Sequence, residues 1–235
     1  MKEQKKYAIS VIAGLLTIIV SSIILFSSGS YAVYTADTAK RKLPVYGVGR
    51  DDGALSISFD CAWGTDYTDK ILDTLDFYNV KATFFVVQFW AEKYPDYLKK
   101  IVGRGHEVGT HSKTHPKMSK LSAEEIEEEL KSSVAAIENV TGQKVKLFRP
   151  PFGDYDDKVI TAAENLGLYT IQWNVDSLDW KNLSAEQIAA RVIKKAGSGS
   201  IILMHNNGLH TAESLPLIFT ATQQKGLVYR PISEL

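Results

Sequence analysis

The sequence predicts a parallel α/β fold that curls toward a barrel, and three observations carry that expectation. Short apolar runs rich in Val, Ile, Phe and Thr recur between residues 55 and 231, and most are too continuous for a half-exposed sheet. Amphipathic stretches separate them, so the chain reads strand, helix, strand about seven times over. No glycine-rich phosphate loop follows the first run, which favours a barrel over a nucleotide-binding sheet.

The elements follow in order. Lys2, Lys5 and Lys6 precede a stretch without charge from Tyr7 to Phe26. As a helix rising about 1.5 Å per residue it would span roughly 30 Å, the thickness of a bilayer core. Residues 1–28 are therefore read as a transmembrane anchor, or as a signal peptide cleaved near Ser30-Tyr31-Ala32, with a buried core helix as a third reading. Either of the first two leaves the lysines in the cytoplasm and places the rest of the chain outside it. Residues 29–52, including Lys40-Arg41-Lys42, read as a linker, and residues 53–235 as one domain. Strands are expected at 55–60, 82–87, 107–111, 147–150, 169–175, 201–205 and 227–231. Helices are expected at 69–79, 94–104, from Ser122 onward, 157–166, 185–196 and 212–225. Ser122 with Glu125 makes a capping box ahead of the stripe Ile126, Leu130, Val134 and Ile137. The acidic run from Glu124 to Glu129 reads as a solvated first turn that favours the helix N-terminus, not as a metal site. Gly167 suits a C-cap and Ser184 an N-cap.

Composition removes some functions. The 27 basic and 27 acidic residues cancel, so the basic excess of a nucleic-acid binder is missing. The single cysteine, Cys61, rules out an internal disulfide, which for an exported chain fits a Gram-positive surface or spore setting.

The unusual polar residues sit where the apolar runs end. Asp60 follows 55–59, His111 and His115 follow 106–110, Arg149 follows 145–148, Asp176 and Asp179 follow 171–175, and His205 follows 200–204. In a parallel barrel these strand ends open onto one face, where active sites gather. Five separate segments thus converge carboxylates, imidazoles and a guanidinium on one cleft. Chance explains any one of them better than it explains all five.

Ser58-Phe59-Asp60, His111-Ser112-Lys113-Thr114-His115, Arg149-Pro150-Pro151-Phe152-Gly153, Asp176-Ser177-Leu178-Asp179-Trp180 and Leu203-Met204-His205 resemble the five ordered motifs of the polysaccharide deacetylase (NodB-homology, carbohydrate esterase 4) family. Phe59-Asp60 followed by Ala62-Trp63-Gly64 further resembles its sporulation-associated peptidoglycan deacetylase branch. The resemblance implies a distorted (β/α) barrel, a metal-dependent hydrolytic N-deacetylase, and an amino-sugar polymer, peptidoglycan for an extracytoplasmic domain, as substrate. It also implies a site at the bacterial cell wall or spore.

Roles come with it. His111 and His115, four apart, would be imidazole ligands of a divalent metal, zinc ahead of cobalt or manganese. Asp60 would be the general base, with Arg149 orienting it and keeping it ionised. His205 would be the general acid, held in its tautomer by Asp179. The Phe152 N–H would face the developing oxyanion. Trp180 and Leu203, both read as core residues, would form the pocket for the acetyl methyl. His106 and Glu107 read as strand-edge residues rather than catalytic ones, and His210 as a loop residue without a role. The chain departs from the family at Cys61, where a second aspartate, a metal ligand, is usual. The thiolate completes a His-His-Cys site, or Cys61 is a small buried residue while water or Asp66 takes the position, or metal binding is weakened. The last option leaves a carbohydrate-binding protein with little or no catalysis.

Overall fold

The computed structural model describes residues 41–235; the segment expected to form an anchor or signal lies outside them. Strand β1 (Ala54–Cys61) is buried along all 8 residues. Its side chains alternate, as the two-residue pleat requires. Leu55, Ile57, Phe59 and Cys61 enter the large apolar cluster shared with the helices. Ser56, Ser58 and Asp60 therefore face the other side, the interior of the curled sheet. Hydroxyls there are small enough for a tight interior and are satisfied by backbone: Ser56 Oγ donates to the Arg230 carbonyl at 2.6 Å and Ser58 Oγ to that of Ile202 at 2.7 Å.

Around β1 run β2 (Thr83–Val86), β3 (Glu107–Thr110), β4 (Leu147–Phe148), β5 (Tyr169–Thr170), β6 (Val175–Asp176), β7 (Ile201–His205) and β8 (Val228–Tyr229). All pairings between these strands are parallel, in the order β5-β4-β3-β2-β1-β7-β6, with β8 against the first residues of β1. The result is a curled parallel half-barrel.

The run at 169–175, expected as one strand, is two. β5 and β6 lie at opposite ends of the sheet order, and polar residues span the gap between them. Gln172 Nε2 donates to the Gly153 carbonyl, and Asn174 Oδ1 accepts from the Ile201 N–H. Residues 45–48, within the expected linker, staple the same opening. Val45 bridges to Ile171 and Gly47 to Ser200, and the Val48 N–H donates to the Gly199 carbonyl at 2.9 Å. Gly199 has φ +74°, and a Cβ there would lie 1.7 Å from the Val48 carbonyl oxygen, so this crossing admits only glycine.

The helices are α1 (Thr68–Phe77), α2 (Gln88–Lys93), α3 (Pro95–Gly103), α4 (Ala123–Thr141), α5 (Asp157–Asn165), α6 (Ala185–Lys195) and α7 (Thr211–Gln224). The expected capping box forms at Ser122–Glu125, and the expected N-cap Ser184 is joined by Gln187 in a second one, each contributing about 1 kcal/mol. Helix α2 had no counterpart in the sequence reading. A small plug of Phe85, Leu147, Ile171, Ile201 and Ile232 fills the half-barrel below the site. None of the helices among the described residues is long and apolar enough to cross a membrane.

Candidate active site

The loops leaving the C-terminal strand ends carry the predicted site residues. Asp60 near the end of β1 and His205 at the end of β7 are register partners in adjacent strands, so the strand spacing of about 4.8 Å sets their backbones side by side. Each is held by a second buried group.

Arg149, just after β4, is fully buried, and its Nη1 donates to Asp60 Oδ1 at 2.8 Å. Its Nη2 donates to Ser58 Oγ at 2.8 Å and to the Gln172 carbonyl at 3.2 Å. The guanidinium lies 4.1 Å over the Phe85 ring, a face-on contact that suits a weakly hydrated planar cation. Burial pushes the Asp60 carboxyl up, but the charge and hydrogen bond of Arg149, with the His205 imidazolium, outweigh it and hold the group below its ordinary value. Asp60 is thus an ionised carboxylate that is 7% exposed.

Asp179, in the 3-10 turn Asp179–Lys181 after β6, is also buried. Its Oδ1 accepts from His205 Nδ1 at 2.7 Å, while Oδ2 accepts from the His205 N–H at 2.8 Å and from Thr211 Oγ1 at 2.6 Å. Burial lowers the His205 pKa, but the hydrogen bond and charge of Asp179, with Asp60 and Asp176, more than reverse it and raise the pKa above the ordinary histidine value. The Nδ1 bond leaves Nε2 as the ring's working nitrogen.

His111 Nδ1 donates to the Arg149 carbonyl at 2.7 Å, and its Nε2 is 3.6 Å from Asp60 Oδ2. Burial lowers its pKa, so the ring is neutral and Nε2 carries a lone pair. His115 sits on a tight loop with positive φ at Ser112 and His115, conformations held only where surroundings enforce them. Its ring stands edge-on to His111 at 4.9 Å, and burial with the neighbouring His111 lowers its pKa to about 4. The loop is clamped by Glu129 of α4, which accepts from the Lys113 and Thr114 N–H groups, each at 2.8 Å, and from Thr114 Oγ1 at 2.7 Å. Sequence reading missed that role: within an acidic run on a helix, one glutamate aimed at a distant loop looks like its solvated neighbours.

Both imidazoles fit a metal ligand's chemistry, but the expected third donor, Cys61, does not join them. Among the described residues no cluster of three or more His, Cys, Asp or Glu side chains could hold a metal ion. Cys61 is fully buried, with Sγ 3.8 Å from the carbonyl of Phe59. Burial, with the Asp60 charge, pushes its thiol far above the ordinary value. It is a neutral thiol on the helix-facing side of β1, opposite Asp60. The donor set falls short of the three protein ligands that a catalytic zinc site uses.

The remaining expected residues divide. Leu203 of β7 is 3% exposed, while its neighbours Ile202 and Met204 belong to the helix-facing cluster, so it lines the interior one pleat below His205. Trp180 is not the core residue expected: it is 56% exposed, with Lys181 Nζ 4.9 Å from its ring centre. Phe152, at φ 59° in the 3-10 turn after β4, is 65% exposed and meets His115 edge-on at 4.6 Å. His106 is buried with its Nδ1 accepting from the Ala82 N–H, and His210 pairs with Glu213; neither joins the site.

A half-barrel that pairs a buried, ionised carboxylate with a carboxylate-supported imidazole has a proton acceptor and a proton donor side by side. The chain belongs to the polysaccharide deacetylase family, whose model matches residues 47–171, a family of hydrolases that act on amides. It is similar to the uncharacterized protein YlxY of Bacillus subtilis, with 37% identity over 82% of this chain and 60% of that protein. It is 34% identical to the peptidoglycan-N-acetylglucosamine deacetylase PgdA of Listeria monocytogenes over 83% of this chain and 41% of that protein. The chain thus spans about half the length of these relatives. Among solved structures, BA3943 of Bacillus anthracis, a pseudoenzyme of the same family, matches with a TM-score of 0.80 and 36% identity over 82% of this chain and 68% of that one. A mutant of BA3943 with restored enzymatic activity matches with the same TM-score of 0.80.

Proposed function

We propose that this domain removes acetyl groups hydrolytically from the amino sugars of a bacterial cell-wall or spore-cortex glycan, with peptidoglycan as the substrate. The observation that carries the reading is the juxtaposition of the Asp60–Arg149 and His205–Asp179 pairs across two adjacent strands. A sugar-binding surface has no need of a base and an acid, each backed by a buried ion partner.

Amide hydrolysis needs a proton taken from water and a proton given to the leaving nitrogen. Ionised Asp60 takes the first as the water oxygen attacks the acetyl carbonyl carbon. Protonated His205 gives the second from Nε2 to the amine as the C–N bond breaks. Acetate and a free amino sugar leave. Asp60 then holds one proton and His205 lacks one, and exchange with solvent resets both. Arg149 keeps Asp60 anionic; Asp179 keeps the His205 proton at Nδ1 and favours the imidazolium. No step here passes through a metal, because the donor set at His111 and His115 is incomplete.

A second reading is favoured by Cys61: a glycan-binding member that turns over slowly or not at all. The buried thiol and the similarity to the BA3943 pseudoenzyme support it. The apolar stretch 7–26 behind three lysines supports an extracytoplasmic address. One experiment separates the readings. The protein is incubated with N-acetylglucosamine oligomers and with peptidoglycan, with and without added zinc, cobalt or manganese, and acetate is measured. Release supports the hydrolase. Glycan binding without acetate release under any condition would favour the second reading.

A further inference from the structure

Trp63 is a bulky side chain that the machinery above does not use. It lies in the loop between β1 and α1, is 60% exposed, and meets the His115 ring edge-on at 4.9 Å. A single exposed apolar side chain is ordinary, but this one stands against a residue of the site. The loop is not free to fold the ring away. The carbonyl of the next residue, Gly64, accepts from the buried Trp90 Nε1 at 2.8 Å and from the buried Asn206 Nδ2 at 2.9 Å. Gly64 itself has φ +61°, and a Cβ there would come within 2.9 Å of Asn207 Oδ1 and 3.0 Å of Asp66 Oδ2. The backbone that carries an exposed indole is therefore fixed at the mouth of the site, its Gly64 carbonyl held by Asn206, the residue after His205. Trp63 and Phe152 contact the same His115 ring, so exposed aromatic surface continues along the rim.

We propose that Trp63 is a stacking platform for a pyranose ring of a hexosamine polymer, the sugar beside the one whose acetamide reaches Asp60 and His205. The apolar C–H face of a pyranose matches an indole face, and a rigid indole loses little conformational entropy when it is covered. The inference rests on the glycan reading above and extends it. It makes chain length a determinant of affinity: a single sugar fills only the reacting position, whereas an oligomer also covers Trp63.

Titration calorimetry with the N-acetylglucosamine monomer and tetramer tests it, on the wild-type protein, Trp63→Ala and Trp63→Phe, with acetate measured in the same samples. Expected are tetramer binding by the wild type, binding weakened about tenfold or more in Trp63→Ala, near-complete rescue in Trp63→Phe, and monomer affinity equal in all three. Because Trp63 also touches His115, the monomer is the control: a role exerted through His115 alone would weaken monomer and tetramer alike, and that result overturns the proposal. So does a wild-type protein whose tetramer affinity is unchanged in Trp63→Ala. A wild type that neither binds the tetramer nor releases acetate defeats the glycan reading itself, and this inference with it.

Discussion

Replacing Arg149 by Met keeps most of the side-chain volume and removes the charge, which isolates what the guanidinium does for Asp60. In the native site the Asp60 side chain is 8% exposed and that of Arg149 0%. Deleting one partner of such a buried pair leaves an uncompensated charge and costs about 3–5 kcal/mol. For a domain of this size that corresponds to a fall in melting temperature of roughly 6–20 °C. The sign of the pH dependence is the sharper test. In the wild type, the folded-state pKa of Asp60 is lowered because Arg149, with His205, outweighs burial. That group's contribution to stability is present above the unfolded carboxylate value and is lost as pH falls through the folded one. Without Arg149, burial dominates and the folded value rises above the unfolded one. The variant is then penalised at neutral pH and relieved as acid protonates Asp60. Thermal or denaturant unfolding of both proteins at about pH 7 and about pH 5 should show a deficit that shrinks at the lower pH. An equal deficit at both pH values, or one below about 1 kcal/mol, the level of an ordinary surface change, would refute the claim that Arg149 holds Asp60 ionised.

Other outcomes follow from the same geometry. Asp179→Asn removes the charge that favours the His205 imidazolium, so acetate release should fall by about 10²–10⁴-fold. The alkaline limb of its pH–rate profile should move to lower pH; an unmoved limb would exclude Asp179 as the group that raises the His205 pKa. At Gly208 a Cβ would lie 2.2 Å from Thr211 Oγ1 and 3.2 Å from Asp179 Oδ2. Gly208→Ala should therefore cost about 1–3 kcal/mol by overpacking and lower the rate, whereas wild-type stability and rate would show that this approach is not tight. Cys61→Ala should leave the zinc or cobalt content after loading and dialysis unchanged from wild type, because the buried thiol lies on the far face of its strand; a large loss in Cys61→Ala would establish a thiolate ligand.

Much of this arrangement was legible in the sequence because local chemistry and tertiary placement agree. The strand at 201–205, the capping box at Ser122, the N-cap at Ser184, and the clustering of polar residues at strand ends all follow from period, cap and topology. Cys61 shows how a single residue of strand length alters a conclusion. With the strand expected to end at 60, a thiolate ligand and a small buried residue are both open readings of Cys61. Strand β1 extends to Cys61, and the two-residue period then sends Asp60 and Cys61 to opposite faces. The break within 169–175 was hidden for another reason: Gln172 and Asn174 break no apolar pattern visible locally, and their partners Gly153 and Ile201 are far along the chain. Trp180 read as core because indole is apolar, yet its loop has left-handed residues at Leu178 and Asn182 and carries the ring to the rim. Glu129 and Thr211 act only through distant loops, so no spacing rule singles them out.

The most direct test of the account is acetate release from N-acetylglucosamine oligomers and peptidoglycan by the wild-type protein and by Asp60→Asn, with folding of both verified by their melting transitions. The account predicts release by the wild type and its loss by at least about 10²-fold when the carboxylate base becomes an amide. Equal release by the two folded proteins would contradict it, because the buried carboxylate held by Arg149 would then not be the base.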